Sequence, residues 1–266
     1  MGVFSGEFYS KNLDMTTHIN IIFPDISNDV TPIIYGEPKV LYLLHGLSAN
    51  SGEWLRFSKI EYYAKKYNFI VIMPEVQRSF YTNTAYGVKY FDYIAEELSE
   101  ICNKWFNIPQ DKNNTFICGE SMGGYGAVKV ALNYPDKFEG VGTLSGVLDI
   151  QRLIDSVLEG KENLIAVKEI ISIFGENKKV DDKCNLIKLI KEVAKKDNKP
   201  KLIQICGLDD FLYQDNLKFK SVAEYSGYGH TYMEWSGDHE WPFWDVAIQK
   251  VFQFFCNMDI NKSTIF

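Results

Sequence analysis

One serine lies between glycines in the stretch FICGESMGGYGAVKVAL, residues 116 to 132. A serine hydroxyl attacks a carbonyl efficiently only when a base removes its proton and when it can reach the substrate. A tight turn from a strand into a helix supplies that reach, and Gly119 and Gly123 leave room where larger side chains would collide. Because an apolar run precedes Ser121 and a helical pattern follows it, the spacing predicts Ser121 as a nucleophile. The alternative is a glycine-rich turn with an incidental serine.

A base and an acid follow in the chain order Ser, Asp, His that a strand-turn-helix nucleophile uses. His239, in MEWSGDHEWPFW, comes just after a predicted strand, which makes it the candidate general base. Asp209 and Asp210, in KLIQICGLDDFLY, follow the preceding strand. Either aspartate could instead cap a helix. We favour Asp210 as the acid that orients the histidine, with Asp209 as the alternative.

The other three histidines have structural interpretations. His18 lies in the first strands and His230 precedes a strand, so both are expected to face away from the edge where the parallel strands end. His45 ends a strand in LLHGL and is expected to brace the following turn. That turn lies where this arrangement supplies a second oxyanion donor, so the backbone N–H groups of Leu47 and Met122 are the candidate oxyanion hole.

The elements that must position these residues are short apolar runs separated by amphipathic stretches. Their β-branched and aromatic content, with little polar alternation, is typical of strands buried on both faces of a largely parallel sheet. The predicted strands are KVLYLLHG (39–46), FIVIMP (69–74), NTFICGES (114–121), GVGTLSG (140–146), KLIQICG (201–207) and TYMEWSG (231–237). Strands alternating with helices predict an α/β fold with helices on both faces of the sheet.

Three further segments complete the predicted architecture. Apolar residues at three- and four-residue spacing predict one amphipathic helix over 86–106. Residues 9–25 are expected to form two antiparallel edge strands. The interval of about 149–200 is helical in pattern and has no clear strand, which indicates an insertion over the edge where the strands end. Residues 1–266 are expected to form a single domain.

Composition limits the partners. A formal net charge of −7 and a pI of about 5.2 argue against nucleic acid and anionic membranes as partners. No apolar run approaches the roughly 18 residues of a membrane span. The five cysteines are widely spread, without metal-ligand spacing, so neither a metal, another cofactor nor a disulfide framework is expected. The N-terminal residues show no secretory pattern, and a cytoplasmic location is the expectation. The sequence leaves a homo-oligomer open.

Several motifs taken together resemble the esterase D-like esterases, in particular bacterial tributyrin esterase, with S-formylglutathione hydrolase and feruloyl esterases as relatives. The motifs are LYLLHGLSANSGEW, IVIMP, FYTNTAYG, FICGESMGGYGA, CGLDDFLY and GDHEWPFW. The resemblance covers roughly residues 7–256 and matches least well over 149–200. It implies an α/β-hydrolase fold and a serine carboxylesterase that acts on short acyl groups of a small-molecule ester without a cofactor. By motif it implies Ser121, Asp210 and His239 as the triad, and Leu47 and Met122 as oxyanion donors.

Aromatic residues that follow the predicted strand ends are the candidates for substrate contact, although packing is an equal alternative for each. They are Trp54, Phe80, Tyr81, Tyr86, Phe211, Tyr213, Trp241 and Trp244, of which Tyr81 and Trp241 are favoured.

Other functions remain open from the sequence. The same triad could hydrolyse a thioester such as S-formylglutathione, or acetyl or feruloyl esters, or transfer an acyl group to an alcohol or a sugar. A non-catalytic binding protein is the least favoured reading because the full set of Ser121, Asp210 and His239 is present.

Overall fold

The strands of the described residues form one mixed sheet in the order β1-β2-β4-β3-β5-β6-β7-β8. The computed structural model of the protein describes residues 2–25, 30–177 and 179–262; the remaining residues of the predicted domain lie outside this range. The strands are β1 (Gly2–Ser10), β2 (Met15–Phe23), β3 (Lys39–Leu44), β4 (Phe69–Pro74), β5 (Thr115–Glu120), β6 (Gly140–Leu144), β7 (Lys201–Gly207) and β8 (Thr231–Trp235). Strands β3 to β8 run parallel to one another, whereas β2 is antiparallel to both β1 and β4.

Helices cover both faces of the sheet. They are α1 (Glu53–Phe57), α2 (Ile60–Tyr67), α3 (Tyr90–Asp92), α4 (Leu98–Phe106), α5 (Met122–Asn133), α6 (Ile150–Leu158), α7 (Val167–Phe174), α8 (Leu186–Val193), α9 (Tyr213–Tyr225) and α10 (Trp241–Phe255). A π-helical turn, Tyr93–Glu97, joins α3 to α4, and a short 3-10 turn, Lys112–Asn114, precedes β5. On one face, α2 and α10 pack against the sheet, and α4, α5, α8 and α9 pack on the other.

This topology brings chain segments distant in sequence to one edge. Because β3 to β8 are parallel, their carboxyl ends all meet there, and in open α/β sheets ligands bind at that edge. Ser121 follows β5, Asp210 follows β7 and His239 follows β8. All six predicted strands are present, shortened by up to two residues each.

Two predicted elements have different bounds. Residues 9–25 do not form two edge strands: the hairpin begins at Gly2, and β2 lies inside the sheet between β1 and β4. The polar alternation of GVFSGEFYS, in which most side chains of β1 are exposed, hides this strand from an apolar-run criterion. The helix predicted over 86–106 begins at Tyr90, because Gly87 has a φ of +109° and residues 82–89 form turns and an isolated bridge.

The insertion is helical, as predicted. Helices α6, α7 and α8 occupy the interval between β6 and β7, and no strand occurs among its described residues. The insertion is bound to the loop after β4, where the Arg78 guanidinium pairs with Glu169 at 2.6 Å and the Ala85 N–H donates to the Ser172 carbonyl at 3.0 Å. Within the described part of the chain, no helix combines the length and hydrophobicity needed to cross a bilayer.

Candidate active site

Ser121 occupies the sharp corner between β5 and α5. Its φ of +54° and ψ of −117° lie outside the regions that L-residues ordinarily adopt, so the surrounding structure must hold this conformation. The Ser121 N–H donates to the Leu144 carbonyl at 2.9 Å. A Cβ on Gly119 would lie 2.5 Å from the Gly123 backbone, and a Cβ on Gly123 would lie 2.4 Å from the Leu44 carbonyl oxygen. The corner therefore requires both glycines.

The structure brings Ser121, His239 and Asp210 together in a hydrogen-bonded chain. The His239 Nε2 lies 3.0 Å from the Ser121 Oγ, and the His239 Nδ1 lies 2.9 Å and 3.1 Å from the two carboxylate oxygens of Asp210. Aromatic rings flank the imidazole: Phe211 at 4.5 Å and Trp244, edge-on, at 4.9 Å between centroids. This geometry fits a histidine that takes a proton from the serine while a carboxylate fixes its tautomer.

The two candidate aspartates have different environments. Asp210 is buried, and besides His239 it accepts a hydrogen bond from the Leu212 N–H at 2.8 Å. Burial raises the pKa of Asp210, but the hydrogen bond and charge of His239, with help from the Ser145 hydroxyl, outweigh it, so the net pKa is lowered. Asp209 accepts instead from the Gly237 N–H at 3.2 Å, which braces the loop before His239.

The two predicted oxyanion donors border the same cavity as Ser121. Met122 is the first residue of α5, so its N–H has no acceptor within the helix. Leu47 lies in the turn after β3 and also lines this cavity. Both residues line the cavity that contains the nucleophile, and their role as oxyanion donors stays a prediction.

A cavity of about 540 Å³ opens at the nucleophile. Its lining is mostly apolar and includes Phe80, Phe211, Trp241 and Trp244, four of the aromatic residues that the sequence suggested. A mainly apolar cavity with a few polar groups at one end is the usual form of a small-molecule site.

Four of the predicted substrate contacts do not line this cavity. Tyr81 is fully buried, and Trp54 is 1% exposed, with its ring edge-on to Trp241 at 5.1 Å between centroids. The sequence pattern places both residues after a strand end, near the edge where the cavity lies. The pattern does not indicate the direction of a side chain, and both side chains are buried in the core.

The other two lie outside the cavity for different reasons. Tyr86 is 62% exposed and borders a separate groove beside Arg78. Tyr213 begins α9 and its hydroxyl donates to the Glu234 carboxylate at 3.0 Å.

The remaining histidines lie apart from the nucleophile. His45 braces its turn as predicted, since its Nδ1 lies 2.8 Å from the Gly46 carbonyl oxygen. His230 precedes β8 at the opposite edge of the sheet, also as predicted. The expectation for His18 is wrong: β2 is antiparallel, which places His18 beside the carboxyl end of β4, where its ring contacts the hydroxyls of Ser5 and Ser51 at 3.0 and 2.9 Å.

Sequence reasoning missed several lining residues. Apolar side chains of the insertion and of the segment that leads to it form part of the wall: Val147, Leu153 and Leu164.

The sequence analysis also did not single out Glu120. This residue precedes the nucleophile, is 2% exposed and lines the cavity. Its Oε1 has no hydrogen-bond partner among the described residues. As the only charged residue in the run FICGES, Glu120 carried a signal that could have identified it.

A comparison with protein families identifies the family to which the chain belongs. The family model described as "Putative esterase" matches residues 10–255, which include Ser121, Asp210 and His239. The chain belongs to this esterase family. An acetyl esterase from Caldicellulosiruptor saccharolyticus is 31% identical over 259 residues, which are 95% of this chain and 97% of that protein.

Two solved structures of esterase-like hydrolases are also similar over nearly their full lengths. The fluorophosphonate-binding serine hydrolase F (FphF) of Staphylococcus aureus, in a substrate-bound structure, is 32% identical with a TM-score of 0.84, covering 98% of this chain and 99% of that one. The S-formylglutathione hydrolase (FrmB) of Staphylococcus aureus is 33% identical with a TM-score of 0.81, covering 96% and 98%. The chain is thus a carboxylic ester hydrolase of this family with the α/β-hydrolase fold, as the resemblance implied.

Proposed function

We propose that this esterase is a serine carboxylesterase that hydrolyses short-chain acyl esters through a Ser121-His239-Asp210 triad and an acyl-enzyme intermediate. The observation that carries the proposal is the imidazole of His239, which lies within hydrogen-bond distance of both the Ser121 hydroxyl and the Asp210 carboxylate at the mouth of an apolar cavity.

The mechanism follows from the positions of these atoms. His239 Nε2 takes the Ser121 proton as the hydroxyl oxygen attacks the ester carbonyl, and Asp210 stabilises the resulting imidazolium. The backbone N–H groups of Leu47 and Met122 stabilise the oxyanion. Protonated His239 then gives its proton to the leaving alcohol oxygen as the C–O bond breaks. Water repeats the sequence on the acyl-enzyme and releases the acid.

Two observations support a short acyl group. The relative from Caldicellulosiruptor saccharolyticus is named an acetyl esterase. The cavity wall beside the nucleophile is made of bulky side chains, among them Phe80, Leu153 and Trp244.

We also propose a reducing, cytoplasmic compartment for the protein. The absence of disulfides fits that compartment, since the cysteines are free: Cys102, Cys118, Cys184, Cys206 and Cys256.

A second candidate substrate is S-formylglutathione, which the FrmB likeness favours. Glutathione carries two carboxylates, and the cavity lining includes the carboxyl side chains of Glu53 and Glu240, with no lysine or arginine among the lining residues that the structure describes. Because like charges repel at close range, we place uncharged esters ahead of this thioester.

The test is kcat/KM for p-nitrophenyl esters from acetate to octanoate, tributyrin, a feruloyl ester and S-formylglutathione, with Ser121→Ala as the blank. We expect an optimum at short acyl chains and a loss of at least about 10⁴-fold in kcat in the variant, with an unchanged fold by circular dichroism. A Ser121→Ala protein that retains substantial activity would refute the proposed nucleophile. Faster turnover of S-formylglutathione than of every ester would assign the thioester instead.

A further inference from the structure

Side chains bind the backbone carbonyls that lead from the end of β3 to the proposed oxyanion donor Leu47. The Trp54 Nε1 donates to the Leu44 carbonyl at 3.2 Å. The Tyr81 hydroxyl donates to the His45 carbonyl at 2.8 Å. The carbonyl of Gly46 lies 2.8 Å from the Nδ1 of His45. Three consecutive carbonyls are therefore each bound by a different side chain.

These contacts fix the direction of the N–H groups as well. A peptide unit is planar and trans, so the carbonyl and the N–H of one unit point in opposite directions. The Tyr81 hydrogen bond orients the peptide between His45 and Gly46, and the His45 hydrogen bond orients the next peptide, whose N–H belongs to Leu47. The Tyr81 hydroxyl is thus one peptide away from the proposed donor.

Tyr81 is itself held in an unusual position. Its φ of +51° lies in the left-handed region, which costs free energy for a residue with a bulky side chain. The buried Nζ of Lys129 donates to the Tyr81 carbonyl at 3.0 Å and to the Thr82 hydroxyl at 2.8 Å. A Cβ on Gly126 would lie 2.3 Å from the Tyr81 ring, so the glycine in α5 makes room for it.

We propose that Tyr81 is a positioning residue for the oxyanion hole: its hydroxyl holds the His45 carbonyl and so sets the turn that presents the Leu47 N–H to the transition state. This inference rests on the proposed function. Burial raises the pKa of Tyr81 well above its ordinary range, with nearby carboxyl groups adding to the effect, so the phenol keeps the proton that it donates.

The test compares Tyr81→Phe with Tyr228→Phe. Tyr228 is a matched control because it is also buried and its hydroxyl also donates to a backbone carbonyl, that of Pro200, at 2.8 Å. Pro200 precedes β7, at the edge of the sheet opposite the nucleophile. Each variant loses one buried hydrogen bond, so both should lose similar thermal stability, and only Tyr81→Phe should affect catalysis.

We expect Tyr81→Phe to lower kcat roughly tenfold on the best ester, less than the 10²- to 10³-fold typical when a direct oxyanion donor is removed. KM should change by less than about twofold, because the interaction is made in the transition state. The affinity for a trifluoromethyl ketone, whose hemiketal oxyanion occupies the hole, should fall by a similar factor, and Tyr228→Phe should match wild type in all three quantities.

Equal kcat in the two variants, or a change in KM alone, would overturn the role of Tyr81; a change in KM alone would indicate a ground-state effect on binding. An absence of Ser121-dependent hydrolysis in the wild type would instead refute the proposed function, on which this inference depends.

Discussion

Glu120 combines deep burial with a position beside the nucleophile. A Cβ on Gly46 would lie 2.5 Å from the Glu120 Oε2, so the carboxyl packs directly on the backbone of the turn. Burial raises the pKa of Glu120 well above its ordinary value; the charge of Glu53 adds to this, and a backbone hydrogen bond from Gly46 opposes it. The titratable side chains around it include Tyr81 and Cys118, whose pKa values burial also raises. The buried site therefore favours the protonated, neutral form of Glu120 over the carboxylate.

This protonation makes stability depend on pH. The unfolded chain releases the Glu120 proton near the ordinary pKa of about 4.3, whereas the folded protein retains it to higher pH. The wild type should thus lose stability as the pH rises above that value, by up to about 1.4 kcal/mol per pH unit from this group. Glutamine does not titrate, so Glu120→Gln should lack this loss. The free energy of unfolding of the variant minus that of the wild type, measured in urea, should therefore increase between pH 5 and pH 8. A difference that is constant with pH would show that the carboxyl is ionised in the folded state.

The sequence carried unequal information about individual residues. Ser121 and His239 could be predicted because chain order and position after a strand nearly determine where they lie. The sequence favoured Asp210 over Asp209 but did not exclude Asp209. The choice depends on which of the two side chains the turn after β7 directs at the imidazole, and a sequence pattern does not describe that. The direction of Tyr81 could not be predicted, because it depends on a left-handed backbone that has no sequence signal in a non-glycine residue.

The insertion forms part of the cavity wall. Leu153 on α6 is 2% exposed and borders the cavity, while Leu189 on α8 is buried in the same insertion without bordering it. The two leucines therefore separate the effect of cavity size from the effect of lost packing.

Leu153→Ala should enlarge the site and shift its chain-length preference. We expect the ratio of kcat/KM for hexanoate over acetate to rise roughly tenfold, since one or two methylene groups change selectivity by about that factor. Leu189→Ala should leave the ratio unchanged. Both variants should lose about 2–5 kcal/mol of stability in urea unfolding. An unchanged ratio in Leu153→Ala would show that this wall does not contact the acyl group.

The elements themselves were predictable where the pattern was apolar. Buried parallel strands such as β4 and β7 leave mainly hydrophobic runs, and their bounds agree with the sequence analysis. In the hairpin of β1 and β2, most side chains of β1 are exposed, so the hydrophobic pattern of this strand is weaker. The π-helical turn at Tyr93–Glu97 also has no recognisable hydrophobic pattern in the sequence. In this turn Glu97 accepts hydrogen bonds from the Ser10 hydroxyl and the Lys11 N–H, and sequence periodicity does not describe such long-range contacts.

For the whole molecule, the parallel sheet explains how a site forms from residues 118 positions apart in sequence. Strands β5, β7 and β8 end at one edge, and each contributes one member of the hydrogen-bonded chain. The sequence is similar to that of the acetyl esterase, and the fold is similar to that of FphF. The glutamates in the mostly apolar cavity wall are a feature described for this chain.

The most direct measurement of the central claim is covalent labelling with a fluorophosphonate, followed by peptide mass spectrometry. We predict one equivalent of label on Ser121, loss of ester hydrolysis in proportion to labelling, and labelling that is slowed at least about 10³-fold in His239→Ala. A label on another residue with Ser121 unmodified, or full hydrolytic activity in fully labelled enzyme, would contradict the account.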